Sequence, residues 1–234
     1  MATPQSNGPP VFGPPRPRPN IVLLSLEKQP WFDEMFKPLL GALKAGADIE
    51  EITDPAAARQ AFARTPRPSA VLATDQGLTV STRISLLHDA RSYVRSSGGT
   101  LLFMGSFPSF TRPSDVKTLF DALGLPWESG DYYRTTFTVN LGMSHFSTAG
   151  LTPSYSQKAL HLANVAIGDA VYLPSDSSRT QSMVFAPERV GDLTQTPAAF
   201  GQAGRGKVGY IGDVNAEAET TAVVLAMCGI VPST

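Results

Sequence analysis

Short apolar runs, each followed by a stretch with helical spacing, set the rhythm of the first half of the chain. Asn20–Leu26 (NIVLLSL), Ser69–Thr74 (SAVLAT) and Thr100–Met104 (TLLFM) lack the alternation of a half-exposed strand. Continuous runs of that length predict strands buried on both faces. Between the first two, residues 31–46 place Phe32, Met35, Phe36, Leu39, Leu40 and Leu43 at helical period, with Pro38 positioned to kink or split the helix. Asp48–Thr53 predicts another short strand, and Asp54 followed by Pro55 predicts the cap and first turn of a helix to Ala63. Residues 82–97 predict an amphipathic helix with Ile84, Leu87, Ala90 and Val94 on its buried face, ended by Gly98 and Gly99. Strands alternating with helices predict an α/β fold: an open, mostly parallel sheet between two helical layers, a flavodoxin-like three-layer sandwich.

The second half is less regular. Ser114–Leu123 reads as a helix capped by Ser114 and stopped by Gly124, and the β-branched Thr135–Asn140 (TTFTVN) as an antiparallel or edge strand. Tyr155–Asn164 reads as a short helix, and Ala170–Leu173 and Met183–Ala186 as short strands. Lys207–Gly212 (KVGYIG) predicts a buried strand, followed by a helix over Glu217–Met227. Ahead of all this, residues 1–19 hold seven prolines and two glycines, which excludes a helix or a central strand. We expect a flexible arm there, carrying a PPRPRP segment of the kind that proline-recognition domains bind, and one α/β domain over 20–234.

Composition narrows the function classes. Hydrophobic residues make up 42% and charged residues 17%, too apolar for a disordered chain. A net charge of −1, from 19 Lys+Arg against 20 Asp+Glu, argues against a nucleic-acid binder. The chain has no apolar run long enough for a bilayer span and a single cysteine, Cys228, and because MATPQSNGPP lacks a basic-then-apolar pattern no signal peptide is expected. A cytoplasmic, membrane-independent protein is the expectation.

In open α/β sheets, ligands bind beyond the carboxyl ends of the strands. The loops to inspect there carry Glu27, Asp75, the run Gly105-Ser106-Phe107, and Asp213 with Asn215. Asp131-Tyr132-Tyr133-Arg134 could supply a lid, since phenols and a guanidinium suit an anionic or sugar-like ligand. His145, in the flexible-looking GMSHFSTAG, is the histidine freest to enter a site; His88 and His161 read as surface or boundary residues on helices. Gly201–Lys207 (GQAGRGK) matches the start of a phosphate loop, but Val208 stands where Ser or Thr is needed. A glycine-rich turn between two strands is the better reading. The sequence suggests no metal site and no cofactor.

The strand–helix series to Met104, the sharp Gly105-Ser106 turn and the closing GKVGYIGDVNAEAETTAVVLAMCG together resemble the class I glutamine amidotransferase-like superfold. The nearest group contains trehalose-utilisation-like (ThuA-like) proteins and biotin-ligase N-terminal-like domains. The resemblance implies a catalytic cysteine on the turn after the fourth core strand, with a histidine and a glutamate after a late strand. Here those places read Gly105-Ser106-Phe107 and Gly212-Asp213-Val214-Asn215. A thiolate–imidazole pair is what makes an amide carbon attackable near neutral pH. The expectation is a domain of this fold that lacks the Cys-His-Glu triad. It would bind a small polar or anionic ligand through Asp75, Gly105, Phe107, Tyr132, Arg134, His145 and Asn215. The alternatives are a divergent hydrolase or lyase using carboxylate, serine or tyrosine chemistry, with Glu27, Asp75, Ser106 and Asp213 converging, and a protein-interaction module. A homodimer stays open.

Overall fold

In the computed structural model, which describes residues 18–230, the apolar runs pair as the pattern predicts. Strands β1 (Asn20–Leu24), β2 (Asp48–Ile52), β3 (Ala70–Ala73) and β4 (Thr100–Phe103) join β8 (Ala198–Ala203) and β9 (Gly206–Ile211) in one sheet. Its order is β2-β1-β3-β4-β9-β8. All neighbours run parallel except β8, which forms a hairpin with β9, so GQAGRGK is the turn between two strands. The Pro-rich arm and its PPRPRP segment lie outside the described residues, apart from Arg18 and Pro19.

Side-chain parity then assigns the two helical layers. Val22, Leu24, Val71, Leu101, Phe103 and Tyr210 face α3 (Pro55–Ala63), α4 (Ile84–Arg95) and α6 (Pro113–Leu123). Ile21, Leu23, Leu72, Leu102 and Ile211 face α1 (Phe32–Met35), α2 (Lys37–Gly46) and α7 (Ala218–Met227). A strand covered on both sides must be apolar at every position, which is why these runs do not alternate. Asp54 caps α3 by accepting from Ala57 N at 2.8 Å, and the helix over 31–46 breaks in two just before Pro38. Gly124 ends α6 in the left-handed region at φ +83°.

Several expectations need correction. The helix α4 begins at Ile84, after two short 3-10 turns, and Ile84 is exposed while Leu86 and Tyr93 are buried instead. Arg112 holds the cap position of α6, not Ser114. Residues 155–164 form no helix: they lie in β6 (Ser154–Ala163) and the turn that follows it. The strand at 135–140 is antiparallel, as expected, but it is the end of a longer β5 (Glu128–Val139) and central, not an edge, in a second sheet of order β6-β5-β7, where β7 is Tyr172–Pro174. That absorbs Asp131-Tyr132-Tyr133-Arg134 into a strand, so it is not a lid. Met183–Ala186 is irregular and exposed.

The second sheet sits across the tips of β9 and β8. Bridges join Ala159 to Asp213 and Leu162 to Thr196, and the Tyr210 hydroxyl donates to Leu160 O at 2.9 Å. It roofs one end of the edge where a ligand is expected.

Candidate functional site

The strand tips hold two buried carboxylates. Asp75 follows β3 and is 2% exposed; one oxygen accepts from Glu27 N and the other from Gly77 N, each at 2.8 Å. It ties the tip of β1 to the tip of β3 at the point where the strand order reverses. Burial raises its pKa above the usual carboxylate range, against the pull of the two amides. The Glu27 side chain turns away to an ion pair with Arg83 at 2.6 Å. Asp213 follows β9 and is 1% exposed. It accepts from Asn215 N and Glu217 N, both at 2.8 Å, and from Thr220 Oγ1 at 2.6 Å. Burial raises its pKa as well, opposed by those three donors. Each carboxylate therefore organises the turn that carries it.

Between them stands the turn after β4. Gly105 has φ +69°, a left-handed conformation that only glycine adopts without strain. A nucleophile elbow places its reactive side chain on the strained residue of such a strand-to-helix turn. Here that residue has no side chain, and a Cβ would lie 2.8 Å from both Phe32 Cε2 and Thr74 O. Ser106 is the next residue; it is 1% exposed and its hydroxyl donates to Thr74 O at 2.9 Å. Phe107, which opens the short helix α5 (Phe107–Phe110), is fully buried against Phe103, so it is a core residue and not a ligand contact. A narrow cavity of about 90 Å³ runs between Gly105, Asp213, Thr220 and the apolar side chains of α1 and α2.

A larger opening adjoins this edge. Arg134 on β5 pairs with Glu217 and also donates to Ser156 Oγ at 3.1 Å. The Asn215 amide, with its oxygen turned inward, accepts from Arg134 Nη2 at 2.6 Å. From this junction a groove of about 790 Å³ extends along β5 and β6, lined by Tyr132, Tyr133, Lys158 and the segment from Thr180 to Glu188. The Lys158 ammonium stands 5.1 Å from the centroid of the Tyr132 ring and pairs with no carboxylate among the described residues. The Tyr133 hydroxyl is buried without a hydrogen-bond partner among them, and burial pushes its pKa up to about 12.

Tyr132, Arg134, Asp213 and Asn215 thus come together, with Gly105 nearby across the cavity. Glu27 and Asp75 share the edge but engage each other. His145 does not reach it: its Nε2 lies 2.6 Å from Asp169 Oδ1, and its carbonyl accepts from Lys207, which pairs with the first residue of β4. That is the opposite edge of the sheet. His161, read as a surface residue, is fully buried on β6 between the rings of Tyr133 and Phe137, at 4.3 and 5.3 Å. Lys158 was the residue missed; a period-2 reading of SYSQKALH would have placed it on a strand face. Among the described residues, no group of three or more His, Cys, Asp or Glu could hold a metal ion, and no helix is long and apolar enough to cross a membrane.

No protein-family model matches the sequence, and no curated protein matches it. Solved structures do. The chain aligns over 94% of its length with 94% of a protein from Bacteroides uniformis described as ThuA-like, at TM-score 0.60 and 10% identity. A ThuA-like protein from Parabacteroides merdae aligns over 94% of this chain and 93% of its own, at TM-score 0.50 and 11% identity. A Thermoplasma acidophilum protein described as part of a GMP synthase aligns over 91% and 93%, at TM-score 0.50 and 10% identity. Identities this low speak to fold, not to chemistry. The chain shares the fold of these ThuA-like proteins, the α/β fold that the resemblance to class I glutamine amidotransferase-like domains implied.

Proposed function

We propose that this chain binds a small polar molecule where the groove of the second sheet meets the carboxyl edge of the main sheet, and that it does not hydrolyse glutamine by a cysteine route. The observation that carries the reading is the open groove joined to the β9–α7 loop through Arg134, Glu217 and Asn215. The groove's volume lies within the roughly 300–1,000 Å³ of ordinary small-molecule sites. The elbow position supports the second half of the reading, because Gly105 offers no nucleophile. The sole cysteine, Cys228, follows α7, and burial pushes its thiol up to about 12. A ten-residue helix separates it from the edge by about 15 Å.

A divergent hydrolase built on Ser106 fares worse. Its hydroxyl proton is engaged by Thr74 O, and Asp213 already accepts three hydrogen bonds within its own turn. A general base has to reach the proton that it removes. The test is a thermal-shift screen of polar metabolite-sized compounds beside an assay of ammonia release from glutamine. Stabilising hits that vanish in Arg134→Ala, with no ammonia released, support the reading. Glutamine turnover lost on alkylating Cys228 overturns it.

A further inference from the structure

Within the groove, most polar groups are already engaged. Arg134 is held by Glu217 and Ser156, Ser156 Oγ donates to Gln181 Oε1 at 2.6 Å, and Gln181 Nε2 donates to Thr136 Oγ1 at 3.0 Å. The Lys158 ammonium is the one cation of the lining that pairs with no carboxylate among the described residues, and it stands 5.1 Å from the centroid of the Tyr132 ring. Glu188 is the only acidic residue in the lining, and it is exposed. At the mouth, Met183 and Phe185 are exposed by 105% and 77%, a large apolar area to leave against water.

We propose that the groove selects a ligand carrying an oxyanion, carboxylate or phosphate, on a cyclic body. Lys158 meets the charge, and the ring lies among Tyr132, Met183 and Phe185. This rests on the groove being the binding site. The assignment follows from that cation: an ammonium with no carboxylate partner, held beside an aromatic face in a groove of small-molecule size, suits an anion attached to a ring. Binding of this kind weakens with salt, since the pair stays partly solvated.

The experiment is titration calorimetry on the full chain with glucose 6-phosphate, phenyl phosphate and benzoate, each beside its neutral counterpart, glucose, phenol or benzyl alcohol. The phosphates and the carboxylate distinguish the two sources of oxyanion. At least one oxyanion probe should bind tighter than about 1 mM and about tenfold tighter than its counterpart. Lys158→Ala should weaken it about tenfold or more, and Lys158→Arg should largely restore it. Equal affinity for the neutral counterpart, affinity unchanged in Lys158→Ala, or no oxyanion binding at all overturns the proposal. If neutral polyols bind and Arg134→Ala abolishes their binding, the groove stands and only its charge preference falls. If oxyanions bind with no response to any groove substitution, the site itself is misplaced.

Discussion

His161 offers a direct measurement of what the second sheet hides. Its ring is fully buried, neither nitrogen has a hydrogen-bond partner among the described residues, and burial lowers its pKa from 6.5 to about 4. The folded-state value lies below the unfolded one, so the unfolded chain binds more protons between the two. Stability from this residue is therefore fully present above about pH 6.5 and is lost as the pH falls toward 4. Between about pH 7 and pH 4.5 the loss comes to about 2.5 kcal/mol, at about 1.36 kcal/mol for each tenfold change in proton affinity. His161→Phe keeps a ring between Tyr133 and Phe137 and removes the proton site. At neutral pH it should also stabilise the protein by about 1–3 kcal/mol, because two unpaired buried nitrogens disappear. Urea unfolding of both proteins at the two pH values reads the double difference. Asp75 and Asp213 titrate with the opposite sign, but they are common to both proteins and cancel. Parallel stability losses in wild type and variant would refute the reasoning, since they would mean that His161 is charged or hydrated in the fold.

Asp213→Ala should cost about 3–4 kcal/mol, because three donors lose their acceptor in a nearly dry turn, whereas Asp213→Asn should cost about 1 kcal/mol; chemical denaturation separates the two. Gly105→Ala should destabilise by about 2 kcal/mol or more through its positive φ and the contact with Phe32 and Thr74, and a variant as stable as wild type would contradict the turn described. Cys228→Ala should cost on the order of 1 kcal/mol and leave ligand binding intact, and the wild-type thiol should resist alkylation until the protein unfolds. Asp169→Asn should loosen the loop that carries His145, seen as faster amide exchange there, without changing ligand affinity, because that pair lies at the far edge.

The main sheet was legible because its strands are covered on both faces. Burial of Ile21–Leu24 or Leu101–Phe103 demands apolar residues at consecutive positions, and a run with no period has few other readings. The second sheet was not legible for the opposite reason. In β6, Tyr155, Gln157, Ala159 and His161 are buried on one face, yet two of the four are polar, and Leu160 and Leu162 are buried on the other. The resulting spacing of Tyr155, Ala159 and Leu162 imitates a helix. Met183–Ala186 misled in reverse, being apolar and β-like in composition but exposed. The strand-tip residues could be placed from topology alone. That Asp75 and Asp213 would be consumed by backbone amides depends on turn geometry, which side-chain identity does not reveal.

The same facts bear on why the proposed site lies beside the sheet's carboxyl edge and not on top of it. A carboxylate that already accepts two or three short hydrogen bonds offers little to a ligand, and both tip carboxylates are in that state. The elbow between them has no side chain, and the cavity below is about 90 Å³, near the size of a few waters. The edge is thus rigid and largely self-satisfied, which suits a support more than a reaction centre. What it supports is β5 and β6, held over the tips by the Ala159–Asp213 and Leu162–Thr196 bridges and by the Arg134–Glu217 pair. A group fixed on a strand that is itself fixed to a buried sheet keeps its position better than one on a loop. Lys158 has that placement, paired directly with Arg134 across the β5–β6 ladder. Two neighbouring cations on one ladder repel unless one is neutralised, and Glu217 neutralises Arg134. In the proposed site the charge of Lys158 is thereby left for the ligand, and Arg134 anchors the groove to the fold.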